Sequence, residues 1–150
     1  MTLKTRLQDD MKTALKSKDK DRLGTIRLIL AAIKQREVDE RIDLDDAAII
    51  TVLDRMAKQR RESISQFQNA GRTDLADKEE FELAVIQSYL PAALSDAELD
   101  QLIEAAMTES GASSIRDMGK VMALIKPKAQ GRADMTALSA RVKARLGATG

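Results

Sequence analysis

The sequence predicts an all-α fold, with an N-terminal four-helix domain (residues 1–90) followed by a C-terminal three-helix domain (residues 91–150). Three observations carry that prediction. Ala, Leu, Met, Lys and Glu are abundant, whereas only Phe67, Phe81 and Tyr89 are aromatic, a balance that favours helices. Apolar residues recur at intervals of three and four, the period of a single buried helix face. Ser, Thr and Asp precede these runs and Gly or Pro follow them, as caps and stops do.

The first helix is expected from Thr2 to Ser17, with Thr2 as cap and Leu3, Leu7, Met11 and Leu15 on its buried face. The second opens at Asp19 or Asp21 and turns Leu23, Ile26, Leu30 and Ile33 inward. Leu28 and Ile29 widen that stripe, which makes this helix the expected centre of the first core. Gly24 lies inside it at a cost of about 1 kcal/mol relative to Ala, and suggests a close helix crossing. A polar turn over Asp43–Asp46 offers caps for a long third helix reaching Ala70, with Ile49, Leu53, Met56, Ile64 and Phe67 along its stripe. Gly71 supplies a C-terminal cap. The fourth helix begins at Thr73 or Asp74, carries Leu75, Phe81, Val85 and Tyr89, and stops before Pro91.

The domain boundary falls at Leu90–Leu94. Ser95 and Glu98 then have capping-box spacing, so a fifth helix is expected to about Glu109 with Leu99, Leu102, Ile103 and Ala106 buried, closed by Gly111. Ser114 caps a sixth helix with Ile115, Met118, Val121, Met122 and Ile125 in its stripe. Lys126-Pro127 is expected to end it, because proline lacks the backbone donor and restricts the residue before it. Past Gly131 and Arg132, Asp134 caps a seventh helix with Met135, Leu138, Val142 and Leu146 inward. Residues 147–150 are expected to fray.

Absences prune the chemistry. With no Cys and no His, thiol nucleophiles, imidazole bases and the common zinc sites are excluded. The glycines form no phosphate-cradling loop. No catalytic residue, cofactor or metal is therefore expected. No apolar run approaches the roughly 20 residues that span a bilayer, so no membrane partner is expected. The N-terminus is charged throughout, without a secretory leader's apolar segment, and the lack of disulfides suits a reducing compartment. These features together predict a cytoplasmic protein. Nothing in the sequence fixes its oligomeric state.

Charge is distributed unevenly. Residues 1–90 carry 17 basic and 17 acidic groups, residues 91–117 one basic and six acidic, and residues 118–150 seven basic and one acidic. The seven are Lys120, Lys126, Lys128, Arg132, Arg141, Lys143 and Arg145. Phosphates need cations with flexible reach, and a loop of Lys126, Lys128 and Arg132 at a helix junction would supply them beside the free N–H groups of the next helix. Arg141 and Arg145 are one turn apart on one face, while Lys143 points elsewhere. The plain alternative is a solvated basic face paired with the acidic helix at 96–109. The lack of aromatics in this stretch argues against stacking of unpaired bases and for a folded RNA held by its backbone.

Two further constellations have structural readings. In KQRRESISQF (58–67), Arg60 sits within the apolar stripe, as a guanidinium that packs its stem and meets a carboxylate would. In AGRTDLADKEEFE (70–82), Asp74, Asp77, Glu79 and Glu80 gather at a helix start, where acids complement the dipole. Tyr89 is expected to pack between the domains with its hydroxyl at the surface.

The chain resembles the GatB/YqeY family. The stretches RLILAAIKQREVD (27–39), KQRRESISQFQNAGRTDLADKEE (58–80), QSYLP (87–91) and DMGKVM…KPK…GRAD…LSARVKARL up to Leu146 carry the resemblance, in order over most of the chain. It implies two helical domains. Its C-terminal part is similar to the tail of the B subunit of the glutamine-dependent aminoacyl-tRNA amidotransferase, a tail that contacts tRNA. Gly119, Lys120, Val121, Met122, Pro127, Gly131, Arg132, Ala133 and Asp134 match that motif, while Ala123 and Met135 stand where glycine is expected. Neither the kinase-like catalytic part of that subunit nor the amidase subunit is represented. The expectation is an accessory module in translation that binds tRNA or another structured RNA through the seven basic residues, with an amidotransferase or a synthetase as possible protein partner. The alternatives are a protein–protein adaptor for a translation-related complex, and part of a carbon–nitrogen ligase with glutamine as amido-N-donor.

Overall fold

A computed structural model describes residues 1–149, with side chains as far as residue 147. Its described residues form seven α-helices and one short 3-10 turn, without a strand. The chain divides into two compact units, Met1–Leu90 and Pro91–Gly150.

In the first unit, α1 spans Leu3–Lys16, α2 Lys20–Glu40, α3 Asp46–Asn69 and α4 Thr73–Gln87. Oxygen-bearing side chains open the first three. Thr2 accepts from the Thr5 N–H at 3.1 Å, Asp19 from Arg22 at 3.3 Å and Asp45 from Ala48 at 2.9 Å, each satisfying a donor with no partner inside the helix. Asp19 rather than Asp21 thus caps α2. Left-handed residues break the chain after α2 and α3, Arg41 at φ 56° and Gly71 at φ 71°. The core is built from Leu7, Ile26, Ile29, Ile33, Ile49, Leu53, Val85 and Ile86. Truncating one of the fully buried isoleucines to Ala would cost about 2–5 kcal/mol.

Several expected core positions differ. Leu15 and Phe81 are exposed, and Leu75, Ile64 and Phe67 are only half-buried. Ala14, Ala76 and Ile86 are buried instead, so α1 and α4 turn a different face inward from the one their apolar stripes suggested. Gly24 has no neighbour within 4 Å of an added Cβ, so no helix of this chain crosses there. Tyr89 lies in the core of the first unit, 2% exposed. Its hydroxyl donates to Asp10 at 2.5 Å, and the Arg6 guanidinium sits 4.7 Å above its ring while donating to the Ser88 carbonyl at 3.1 Å. That clasp ties the end of α4 to α1, and the Tyr89 hydroxyl is not a surface group.

In the second unit, α5 spans Asp96–Ser110, a 3-10 turn Ile115–Asp117, α6 Met118–Ala129 and α7 Met135–Thr149. The capping box at α5 is present, with Ser95 and Glu98 exchanging backbone-to-side-chain bonds of 3.1 Å each. Gly111 closes the helix at φ 67°. The core joins Ile103 and Ala106 of α5, Val121, Ile125 and Ala129 of α6, and Leu138, Val142 and Leu146 of α7. Pro127 does not stop α6, which runs two residues further. Ala129 continues the stripe of Val121 and Ile125 at four-residue spacing and is fully buried, so packing carries the last turn past the missing donor. Ile115 is half-exposed in the 3-10 turn. The tail expected to fray is helical through Thr149, and residue 150 lies outside the described residues.

Candidate functional site

The seven basic side chains of residues 118–146 are held by α6, α7 and the connection between them, and the structure separates them into two groups. Arginines form the first. Asp96, Asp100 and Glu104 recur every four residues on α5, and Arg141 and Arg145 are four apart on α7, so each set lies along one face. Arg141 pairs with Asp96 at 3.3 Å and with Asp100, and Arg145 pairs with Glu104. The pairs ascend together, so α5 and α7 run in the same direction, as the first and third helices of an up-down-up unit do. Arg132 donates from Nε to the Ala92 carbonyl at 2.9 Å and lies 4.0 Å from Glu98. The Leu94 N–H donates back to the Arg132 carbonyl at 2.8 Å, so this arginine fastens the α6–α7 connection to the segment that leads into α5.

Lysines form the second group. Lys126, Lys128 and Lys143 are exposed and have no carboxylate within 4 Å among the described residues. Lys120 only approaches Asp117, at 4.0 Å. Lys126 and Lys128 belong to the last turn of α6, so the expected basic loop contains only Arg132. Two residues apart on a helix, they point roughly 160° apart around its axis, with Lys120 on the solvent side between them. Lys143 lies on the flank of α7 opposite the paired arginines. Asp134 caps α7 as expected, its Oδ1 accepting from Thr136 at 3.0 Å and its carbonyl from Leu138 at 2.9 Å.

Two acids of this unit, Glu98 and Asp117, are held in their charged form. Glu98 is lowered from the ordinary carboxylate value, first by the Ser95 N–H, then by the Ser95 hydroxyl and by Arg132. Asp117 is lowered by the N–H groups of Ser113 and Ser114, which it accepts at 3.0 and 3.4 Å. For the arginines the plain alternative holds, since the acids of α5 are their partners, but the sequence alone did not say which basic residues they would take. The four-residue spacing of those acids, matched by that of Arg141 and Arg145, is the signal that would have found the pairing.

In the first unit, Arg60 meets Glu82 at 2.8 Å and Glu79 at 3.4 Å with its side chain 17% exposed, the half-buried structural pairing its position predicted. Arg72 and Asp74 pair at 3.2 Å on the surface. Among the described residues, no group of three or more acids is placed to hold a metal ion, and no helix is long and apolar enough to cross a membrane.

Fold and charge layout define a helical protein of two units, the second a three-helix unit braced by an arginine–carboxylate ladder and bearing unpaired lysines. The chain belongs to the YqeY family, described as Yqey-like protein, whose model matches residues 4–146. Curated relatives share the name "Altered inheritance of mitochondria protein 41, mitochondrial". The one from Pyrenophora tritici-repentis is 36% identical over 83% of this chain and 71% of its own length. That from Eremothecium gossypii is 42% identical over 64% of this chain and 52% of its own, and that from Lachancea thermotolerans 38% identical over 69% and 57%. The chain thus spans little more than half the length of the latter two. These names overturn the expectation of a cytoplasmic protein. Missing cysteines and a charged N-terminus do not distinguish a cytosol from the interior of an organelle.

Proposed function

We propose that this chain is a non-catalytic helical module that holds a structured RNA, with tRNA the candidate suggested by the resemblance, against the lysines of its C-terminal unit. The observation that supports it is the division of cations. Lys126, Lys128 and Lys143 are exposed without a carboxylate partner, whereas the three arginines are engaged internally. A free ammonium binds a phosphate without first giving up an internal partner. Lys126 and Lys128 straddle α6, so they would grip separate phosphates of a broad polyanion rather than one small anion. Such contacts fix position on a backbone and carry no base specificity.

Each neutralised phosphate releases condensed counterions, so binding should weaken with salt at a log–log slope of about −0.9 per contact on a duplex. The test is filter binding of a tRNA by wild type and by Lys126→Glu/Lys128→Glu/Lys143→Glu between low and moderate salt. The triple variant should bind at least about tenfold more weakly, with a slope shallower by roughly three. Equal affinity, or a wild-type affinity insensitive to salt, overturns the proposal. As an accessory to an amidotransferase or a synthetase, the module would carry its RNA to that enzyme, and co-purification that depends on the same three lysines would support this extension.

A further inference from the structure

The outward face of α2, on the first unit, carries a pattern that RNA binding by the second leaves unused. Ile26, Ile29 and Ile33 turn into the core. On the opposite side Gly24, Leu28, Ala31, Gln35 and Val38 follow at alternating intervals of four and three, with Ile42 four further on, just past the helix end. All six are exposed, Leu28 at 46%, Val38 at 60% and Ile42 at 50%. Within the helix, from Gly24 to Val38, the mean step is 3.5 residues, that of the seam along which two helices wind about each other. A glycine inside a helix costs about 1 kcal/mol relative to alanine, yet a Cβ at Gly24 would meet no atom of this chain within 4 Å. Gly24 and Ala31 occupy equivalent seam positions one heptad apart, where small side chains let a second backbone come close.

Charge selects the occupant. Lys20, Arg27, Lys34 and Arg41 stand seven residues apart along one flank of the seam, about 10 Å between neighbours. All four are exposed and none forms an ion pair within 4 Å among the described residues, although Lys34 lies near enough to Glu37 to help hold it charged. At the C-terminal end of the seam, Lys34, Arg41, Val38 and Ile42 line one shallow depression together with Glu37 and Asp43, so the two cations there stand beside two carboxylates, and Lys20 and Arg27 carry the unbalanced charge of the line. The other flank holds Thr25, Ala32 and Asp39. Flanking charges decide which helices pair. A second copy running antiparallel would set cation line against cation line. Running parallel, it would match only Lys34 with Asp39 and leave Lys20 facing Thr25 and Arg27 facing Ala32. A helix with a carboxylate every seven residues complements the whole line.

We infer that this face of α2 docks an amphipathic helix of another protein, apolar along its own 3.5-residue seam and bearing Asp or Glu beside it. The inference is independent of the proposed RNA contact, which lies on the other unit.

The probe is a labelled 28-residue synthetic helix with Leu on the seam and Glu on both flanks, titrated by fluorescence anisotropy against the full chain. The control peptide carries Lys in place of Glu. The Glu peptide should bind saturably, one per chain, at least tenfold tighter than the control. Leu28→Gln/Val38→Gln, which leaves charge unchanged, and Arg27→Glu/Lys34→Glu should each weaken it at least tenfold, and Lys126→Glu/Lys128→Glu should not. All the substituted side chains are exposed, and far-UV circular dichroism and melting confirm that each variant is folded. Equal binding of both peptides, or an unaffected seam variant, reduces the effect to general charge attraction and overturns the inference. So does a dimer of the chain alone that Leu28→Gln/Val38→Gln abolishes, which would assign the face to a second copy. Competition by phosphatidylserine vesicles would assign it to a lipid surface, and loss of tRNA binding in Arg27→Glu/Lys34→Glu to RNA; either result overturns the inference while leaving the lysine test on the second unit to stand or fall separately.

Discussion

Gly24→Ala gives the sharpest test of how this fold is read. Gly24 sits in the interior of α2 with no atom of the chain within 4 Å of the Cβ that alanine would add, so the substitution has no steric cost to set against its benefit. The benefit is the helix propensity difference, about 1 kcal/mol, most of it backbone freedom that glycine keeps in the unfolded chain. The expected result is therefore stabilisation by about 0.5–1 kcal/mol. Calorimetry turns that into a second measurement. A gain of 1 kcal/mol raises Tm by roughly 4–8 °C if a 90-residue unit melts alone, and by about 2–4 °C if some 150 residues melt together, so the size of the shift reports whether the two units unfold as one. Ala31→Gly, at an exposed position one heptad later, should lower stability by a similar amount. A Gly24→Ala variant that is destabilised would mean that something packs against this position in the folded chain, and would refute the reasoning. If it is stabilised but loses affinity for the acidic helix, the glycine serves association rather than folding.

Four further outcomes are expected. Arg60→Ala should cost about 2 kcal/mol in urea unfolding, because Glu79 and Glu82 lose the cation that holds them while staying half-buried; a loss under 0.5 kcal/mol would show that water replaces it. Burial, and then the bond to Asp10, push the Tyr89 phenol up to about 12, so the folded chain keeps a proton that the unfolded chain loses near pH 10. Stability should thus fall as pH rises from about 10 towards 12, and Tyr89→Phe should flatten that limb. Glu37 is held below the ordinary carboxylate value, first by the Lys4 ammonium and then by the Leu44 N–H, so its contribution is present above about pH 4.5 and is lost as pH falls below it; Glu37→Gln should remove that part of the acid limb. Lys18 and Arg41 adopt left-handed φ values of 59° and 56°, and replacing either with Gly should stabilise the chain by up to about 1 kcal/mol in thermal melts.

The helices were legible in the sequence because each start and stop is a local event. Thr2, Ser95 and Asp134 cap where their spacing to the next apolar run said they would, Asp45 caps α3 from within the polar turn over residues 43–46, and Gly71 and Gly111 take the left-handed turns. What the sequence did not disclose was how far each helix rotates. A stripe as wide as that of α2 is compatible with several orientations, and only packing decides that Ile29 goes in while Leu28 stays out. Proline misled for the same reason. Its local preference at Pro127 is real, but Ala129, fully buried one turn after Ile125, outweighs it. The α2 seam was hidden inside that wide stripe, since a 3.5-residue pattern on the solvent face shows itself only once the 3.6-residue pattern facing the core has been assigned.

Charge is where reading along the chain and folding in space diverge most. The change of sign between residues 91–117 and 118–150 suggested a surface poised for an external polyanion, yet folding lays the acidic α5 beside the basic α7 and much of the contrast is spent inside the unit. The division between residue types has a physical basis. A guanidinium offers a rigid fork of donors that can meet Asp96 and Asp100 at once, as Arg141 does, or reach a backbone carbonyl, as Arg132 does at Ala92. An ammonium is a strongly hydrated point charge that gains little from a fixed surface partner. Exposed pairs of this kind contribute at most about 1 kcal/mol each, so the ladder sets the register of α5 against α7 more than it stabilises them. Swapping Arg141 and Arg145 to Lys should then loosen that register while leaving net charge, and the salt dependence of RNA binding, as they are.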